Sequence, residues 1–241
     1  MLQRCASPIA RRTRGFHSAG IRSPLPAVVD IHSHFLPKEW PDFAARHGGS
    51  DWPSMRHVGE LPGGTYGYAH QCDAMLMSGK EDFRPVTRAA WDPAARLADL
   101  DAAGVDVQLI SATPILFQWQ RSGAVAADVA AWFNDSALQT CEGTGGRLRA
   151  LCQVPLQDID LACRELDRAM AAGHVGVQIG NHVGVKDLDD DGLIAFLAHC
   201  AHANAPVFIH PWDMCNPGSQ GSSPADHSPL LPGIAALATA R

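Results

Sequence analysis

The chain lacks the features that mark several protein classes. It has no long hydrophobic run: stretches such as Pro206–Ile209 are far too short to cross a bilayer. It has no excess of basic residues, with 19 Lys and Arg against 25 Asp and Glu, a net charge of −6. No glycine-rich phosphate-binding motif follows any predicted strand. We therefore expect no nucleic acid and no membrane among its partners.

Cysteine is present in a pattern that excludes a disulfide framework. The seven cysteines are odd in number and irregularly spaced, and no C-x-x-C occurs. This usage is typical of a reducing compartment and predicts buried free thiols, with metal ligation by a few of them as the alternative. With hydrophobic residues at 46% and charged residues at 18%, the chain is expected to fold around a substantial core.

The first 29 residues differ from the rest because they contain no acidic residue. They carry five arginines, and the first acid is Asp30. An arginine-rich, acid-free leader resembles a mitochondrial transit peptide, and an extension without a targeting role is the alternative. We treat residues 1–27 as a disordered or targeting-like leader. The expected location is cytoplasmic, with mitochondrial targeting left open.

The remaining residues, 28–241, predict one domain in which strands and helices alternate. Residues typical of helix ends mark both ends of the helix predicted near Asp92. Asp92 is suited to the N-cap, Pro93 to the first turn and Gly104 to the C-terminal end. Predicted strands cover 27–32, 105–111, 148–155, 175–179 and 206–210, and predicted helices cover 91–104, 123–142, 158–172 and 191–204. Residues 37–92, rich in Pro and Gly, predict an insertion of short strands or loops.

Strict alternation of strands and helices indicates an α/β fold with a parallel sheet. Without a nucleotide-binding motif, a (β/α)8 TIM barrel is the better match. Such barrels usually need roughly 250 residues, so we expect an incomplete barrel with about five of the eight strands. After the fifth strand we expect a loop over 216–229 and a helix over 230–241.

Three histidines mark the predicted strand ends. His32 and His34 are two residues apart, which places both imidazoles on the same face of the first strand. His210 ends the fifth strand, and in a barrel the carboxyl ends of the strands surround one mouth. Three imidazoles can hold a divalent transition metal with positions left for water. We predict a metal site formed by His32, His34 and His210, the alternative being histidines that only form hydrogen bonds.

Other residues near the predicted mouth are ambiguous. Arg84 lies in the insertion and could clamp a carboxylate, although the residues alone favour a solvated surface charge. Trp212 and Phe117 could wall the mouth or belong to the core. His182 could also face the mouth, but a capping role at the strand end is favoured.

Five segments of the chain together resemble the 2-amino-3-carboxymuconate-6-semialdehyde decarboxylases, a family of metal-dependent decarboxylases in the amidohydrolase superfamily. The longest is the Val-Asp-Ile-His-Ser-His-Phe-Leu-Pro-Lys-Glu-Trp-Pro segment. The others are Trp91-Asp-Pro, Ser111-Ala-Thr-Pro, the Gly176-Val-Gln-Ile-Gly-Asn-His-Val segment and the Phe208-Ile-His-Pro-Trp-Asp-Met segment. The resemblance covers roughly residues 28–215, and it implies a (β/α)8 fold.

The resemblance also implies a function. It implies a zinc-dependent, non-oxidative loss of carbon dioxide from an intermediate of tryptophan and kynurenine catabolism, a step that diverts material from quinolinate. Carried across residue by residue, it assigns His32, His34 and His210 to the metal, and Arg84 and Trp212 to the substrate. The implied cofactor is Zn²⁺ or another divalent transition metal. The implied partners are a small carboxylated substrate and a second copy of the chain in a homodimer.

The sequence departs from the family pattern after Met214. The family's acid–base histidine, a late aspartate ligand and an arginine from a neighbouring subunit all belong to later parts of the barrel, so the catalytic acid–base residue here is unknown. We expect the chain alone to be inactive or nearly so. The alternatives are a non-catalytic fragment that associates with full-length subunits, an incomplete gene model, and a related amidohydrolase that acts on another aromatic acid.

Overall fold

The computed structural model describes residues 27–57 and 72–211. The strands are β1 (Val29–Phe35), β2 (Pro53–His57), β3 (Ala74–Ser78), β4 (Glu81–Val86), β5 (Val107–Ala112), β6 (Leu148–Ala150), β7 (Val177–Gly180), β8 (His182–Val183), β9 (Lys186–Asp187) and β10 (Val207–His210). The α-helices are α1 (Phe43–His47), α2 (Pro93–Ala103), α3 (Gly123–Cys141), α4 (Ile159–Ala172) and α5 (Asp191–His202).

Five parallel strands form a curved wall whose order follows the chain. β1 pairs with β5, and β5 with β6. A parallel bridge between Cys152 and Val177 connects the chain beyond β6 to β7, which pairs with β10. The helices α2 to α5 form the successive crossovers. This confirms the α/β prediction: the described residues form five strands of a (β/α)8 barrel.

The helix boundaries arise from local chemistry. The Asp92 side chain accepts hydrogen bonds from the amides of Ala94 and Ala95, Pro93 begins α2, and Gly104 ends it with a φ of +70°. This left-handed conformation costs glycine little, which is why helices commonly end there. Asp158 and Asp190 cap α4 and α5 in the same way. These caps confirm the predicted helices to within a few residues.

The predicted insertion is an antiparallel sheet of its own. β2 pairs with β3, and β3 with β4, while α1 precedes them. Leu76 of β3 and Phe43 of α1 join the same core as Phe133 of α3, so the insertion packs on the barrel wall. Of the two alternatives predicted for 37–92, short strands or loops, the described residues of this range contain short strands.

Three details differ from the sequence prediction. β1 continues to Phe35, so His32 and His34 lie within the strand, because the pairing of His34 with Ser111 and of Phe35 with Ala112 extends the ladder. The third barrel strand is regular only to Ala150. The hairpin of β8 and β9 was not predicted, since each strand has only two residues and the hairpin depends on a turn that contains Gly184 at a φ of +59°.

Some predictions concern residues outside the described ranges: the leader up to residue 26, Trp212, the loop over 216–229 and the helix over 230–241. Among the described helices, none combines the length and the apolar character that crossing a membrane requires. The five described cysteines are free thiols, and Cys152 and Cys200 are fully buried, as expected.

Candidate metal centre

The three predicted histidines meet on the inner side of the barrel wall. Their nearest ring nitrogens all lie within 4.8 Å of one another, and Nε2 of His34 is 3.0 Å from Nε2 of His210. The ring of His32 lies 4.8 Å from that of His210, centroid to centroid. Metal–nitrogen bonds of about 2.0–2.1 Å bring ligand nitrogens into this range of separations, so the three side chains are within reach of one ion.

Strand geometry explains this convergence. Side chains alternate between the two faces of a strand, so His32 and His34 share a face of β1. On β10 the same alternation puts Phe208 and His210 on one face, and Phe208 contacts His32 with ring centroids 5.0 Å apart. β1 and β10 are the two edges of the described wall, and its curvature brings their inner faces together.

The environment keeps the imidazoles of His34 and His210 neutral. Burial, followed by the neighbouring His210 and His32, lowers the pKa of His34 to about 4. Burial also lowers the pKa of His210, with a contribution from His32. Neutral imidazole has a free lone pair and is the form that ligates metals, so both rings are in the binding form at neutral pH.

The hydrogen bond of His210 leaves one of its ring nitrogens unprotonated and able to bind a cation. Its Nδ1 lies 2.6 Å from the carbonyl oxygen of Pro211, and a carbonyl can only accept a hydrogen bond, so Nδ1 carries the proton. Nε2 of His210 therefore presents its lone pair towards His34 at 3.0 Å. A group of three imidazoles whose nitrogens lie within 4.8 Å of one another suits zinc and its neighbours in the first transition row.

A buried arginine supports the strand that carries two of these histidines. Arg96 of α2 donates to the carbonyl oxygen of His34 at 2.7 Å and to Gln108 at 2.8 Å, and Gln108 donates to Asp30 at 2.8 Å. Burial lowers the pKa of Arg96, and Asp30 opposes that shift. The network fixes the backbone of β1 at His34 from the outer side of the wall.

Arg84 reaches the centre from the insertion. It lies on β4 beside Phe83, with the guanidinium carbon 5.6 Å from the ring centroid. Its positive charge is one of the smaller causes, after burial and the neighbouring histidines, of the lowered pKa values of His34 and His210. The side chain is exposed, so the guanidinium is open to an anionic ligand.

Sequence reasoning missed an aromatic contact at the mouth of the barrel. Gly180 lies in register with His210, and a Cβ on Gly180 would overlap the ring of Trp119. Trp119 stacks on Phe117 with ring centroids 4.7 Å apart. A glycine inside a predicted strand often marks a close approach of another group, and that signal could have pointed to this contact.

The remaining histidine near the mouth has a local partner. Nδ1 of His182 lies 3.1 Å from the carbonyl oxygen of Gly184 in the β8–β9 turn. This contact agrees with the favoured capping interpretation. Trp212, which the resemblance assigns to the substrate, lies outside the described residues.

Comparison with known proteins gives a consistent set of similarities. The chain is 33% identical over 188 residues to a 2-amino-3-carboxymuconate-6-semialdehyde decarboxylase of Dictyostelium discoideum. The alignment covers 77% of this chain and 49% of that protein. The chain thus spans about half the length of this curated relative.

Solved structures support the fold. The IDCase of Metarhizium anisopliae superposes with a TM-score of 0.59 at 23% identity, covering 77% of this chain and 50% of that one. A 5-carboxyvanillate decarboxylase of Novosphingobium aromaticivorans, solved with bound manganese, gives a TM-score of 0.54 at 20% identity and covers 77% and 51%. The amidohydrolase family model matches residues 29–238. The chain therefore belongs to the amidohydrolase family.

Proposed function

We propose that the chain carries the metal centre of a metal-dependent, non-oxidative decarboxylase that acts on 2-amino-3-carboxymuconate-6-semialdehyde. The observation that carries this proposal is the convergence of His32, His34 and His210, with two neutral imidazoles only 3.0 Å apart at Nε2. The relative from Dictyostelium discoideum bears the name of this activity, and the 5-carboxyvanillate decarboxylase binds manganese. Zinc is the ion proposed for this chain.

The residues divide the chemistry between them. His32, His34 and His210 would hold the ion, which supplies Lewis-acid stabilisation of negative charge when it is bound. Arg84 binds a substrate carboxylate through paired hydrogen bonds and adds a second positive charge at the mouth. Cleavage of the bond between the carboxylate carbon and the rest of the substrate leaves an electron pair on the remaining carbon skeleton. Fixed positive charge stabilises the transition state in which that pair develops.

Metal binding is the first test. We expect the purified chain, after removal of bound metal with a chelator, to take up about one zinc ion with its three imidazole ligands. His34→Ala and His210→Ala should each weaken zinc binding by at least about 100-fold, because each removes a direct ligand. His199→Ala is the matched control, since His199 contacts Asp167 on the helical layer. Equal zinc binding by all four proteins would contradict the proposal.

Turnover tests the substrate. Loss of the semialdehyde's absorbance should depend on zinc and should disappear in Arg84→Gln at substrate concentrations that support the unmodified chain. We expect the rate to be about 10²–10⁴-fold below that of a relative with a complete set of acid–base groups, since none is assigned in this chain.

A second substrate class is a ring acid. The likeness to 5-carboxyvanillate decarboxylase in fold motivates this alternative. Faster release of carbon dioxide from 2,6-dihydroxybenzoate than from the muconate semialdehyde would replace the proposed substrate, while leaving the metal centre in place.

A further inference from the structure

We propose that Ser111 and Gln178 are positioning residues that fix the tautomer of His34 and so hold its Nε2 ready for the metal. This inference rests on the proposed metal centre. Both residues lie on the inner face of the wall and are almost inaccessible to solvent, at 2% and 1% exposure. They belong to the Ser111 and Gly176 segments of the family resemblance.

The orientation of Gln178 is set by the backbone. Its Nε2 lies 2.9 Å from the carbonyl oxygen of Ala112. A carbonyl oxygen only accepts, so the amide group must turn its NH₂ towards Ala112. Oε1 of Gln178 then faces the other way, where it accepts a hydrogen bond from Oγ of Ser111.

The hydroxyl of Ser111 has one proton and several neighbours that can accept it. Besides Oε1 of Gln178, the carbonyl oxygen of Ser33 lies 3.0 Å from Oγ. Nδ1 of His34 lies 3.4 Å away. Since the two oxygens can only accept, the proton of Ser111 is committed to one of them, and Oγ keeps its lone pairs for His34.

The direction of these hydrogen bonds bears on which ring nitrogen of His34 carries its hydrogen. When a metal ion is held between Nε2 of His34 and Nε2 of His210, which lie 3.0 Å apart, both nitrogens use their lone pairs for it, and the hydrogen of His34 is then on Nδ1, where Oγ of Ser111 can accept it. Without the ion, Nε2 of His34 can instead carry the hydrogen and donate it to Nε2 of His210, so the acceptor at Ser111 shifts the balance between the tautomers towards the binding form. Outer hydrogen bonds of this kind orient ligating histidines, and their loss typically weakens metal affinity about 10–100-fold.

Zinc affinity gives the first test. Competition with a chromophoric chelator should show about 10–100-fold weaker zinc binding in Ser111→Ala and recovery to within about threefold of the unmodified chain in Ser111→Thr, which keeps the hydroxyl. Ser33→Ala is the matched control. It removes a hydroxyl from the residue that precedes His34 on β1, but that hydroxyl donates to the carbonyl oxygen of Leu109 at 3.0 Å and lies 3.4 Å from the guanidinium of Arg96 instead of bonding to a histidine.

The tautomer itself gives a second test that does not need the metal. In the metal-free His210→Ala chain, which lacks the competing acceptor at Nε2, the side-chain nitrogen shifts of His34, read by long-range ¹H–¹⁵N NMR and assigned through His34→Gln, should report a hydrogen on Nδ1. When Ser111→Ala or Gln178→Met is added to this chain, the signals should move towards a mixture of the two tautomers. A purely structural role for Ser111 would leave this signature unchanged.

The outcomes separate this inference from the proposed function. An unchanged zinc affinity and an unchanged tautomer in Ser111→Ala would overturn the inference while the metal centre stands. Equal losses in Ser111→Ala and Ser33→Ala would also overturn it. If the unmodified chain bound no zinc, the proposed function would fail, but a tautomer shift in Ser111→Ala would still support the assigned hydrogen-bond chain.

Discussion

The two faces of the barrel wall differ in chemistry. The outer face is apolar: Ile110 of β5, Leu148 of β6 and Ile179 of β7 are 0–2% exposed and pack beneath the helices. The inner face of the same strands carries groups such as Ser111 and Gln178, each within one residue of an outer-face isoleucine. A shift of one residue along a strand thus separates a side chain that stabilises the fold from one that serves the site.

This difference shows on which face the destabilising effect of buried polar groups has to be offset by hydrogen bonds. A buried polar group destabilises a fold unless it is hydrogen-bonded. On the inner face, Gln178 uses both ends of its amide, donating to the carbonyl oxygen of Ala112 and accepting from Ser111. Most of the outer face needs no such arrangement, because hydrophobic burial alone favours folding there, and the buried network of Arg96 and Gln108 is a local exception. Substitutions on the two faces should therefore affect different measurements.

The largest effect on stability is expected on the outer face. Leu148→Ala should lower the free energy of unfolding by about 2–5 kcal/mol, because it removes buried methyl groups and leaves a cavity. Urea denaturation of the metal-free chain measures this change. Zinc affinity of the folded protein should remain within about threefold, since Leu148 packs on the side away from the histidines. A large loss of zinc affinity would show that the two faces are not independent.

A polar exception on the outer side should produce the next largest effect. The side chain of Asn134, on α3, donates to the backbone carbonyl oxygen of Gln153 and accepts from the backbone N–H of Gln153, both at 2.9 Å. It also donates to the carboxylate of Glu165 at 2.6 Å. Asn134→Ala leaves buried backbone groups without partners, so we expect a loss of about 2–4 kcal/mol in urea denaturation. Asn134→Asp, which keeps an acceptor for the amide but repels Glu165, should be no more stable than the unmodified chain.

A smaller effect is expected at the contact between Gly180 and Trp119. Gly180→Ala introduces a methyl group into the space of the indole ring, and overpacking of this kind costs about 1–3 kcal/mol. Combination with Trp119→Leu should recover part of the loss, which a double-mutant cycle in urea measures. Additive effects of the two substitutions would contradict the contact.

The smallest expected effect is a change of stability with pH. Burial lowers the pKa of His174, whose Nδ1 lies 3.0 Å from the carbonyl oxygen of Ala169. The unfolded chain, with an ordinary histidine pKa of about 6.5, then binds more protons than the folded chain below that pH. Stability is therefore full above about pH 6.5 and falls as the pH decreases through the folded-state pKa.

His174→Gln isolates this contribution, because it keeps a donor for Ala169 but does not titrate. We expect the free energy of unfolding of this variant to decrease less between pH 7 and pH 5 than that of the unmodified chain. His34 and His210, whose pKa values are also lowered, contribute in the same direction in both proteins. Parallel pH curves for the two proteins would rule out a role for His174.

Much of the fold could be predicted because its signals are local. Asp92, Pro93 and Gly104 delimit α2 by contacts within the helix ends, and the alternation of strands and helices determines the strand order. The histidine pair of β1 also follows from a local rule, the period of two residues. His210 required a second rule, that strand ends meet at one mouth.

The missed parts depend on contacts between distant residues. Ser111 and Gln178 are 67 positions apart, and only the structure shows that they are joined by a hydrogen bond. Trp119 meets Gly180 because a loop after β5 folds over the end of β7, which no local periodicity encodes. The position of Arg84 near the histidines likewise depends on how the insertion packs, and the residues alone favoured a surface charge.

The insertion that carries Arg84 has an evolutionary consequence. The histidines come from barrel strands, whereas the arginine comes from a separate antiparallel sheet. Under the proposed function, mutations in the β3–β4 hairpin would alter which acid Arg84 selects while the three histidines keep their places. Such a division would allow a lineage to acquire new substrates through changes in one antiparallel sheet and to keep the barrel strands unchanged.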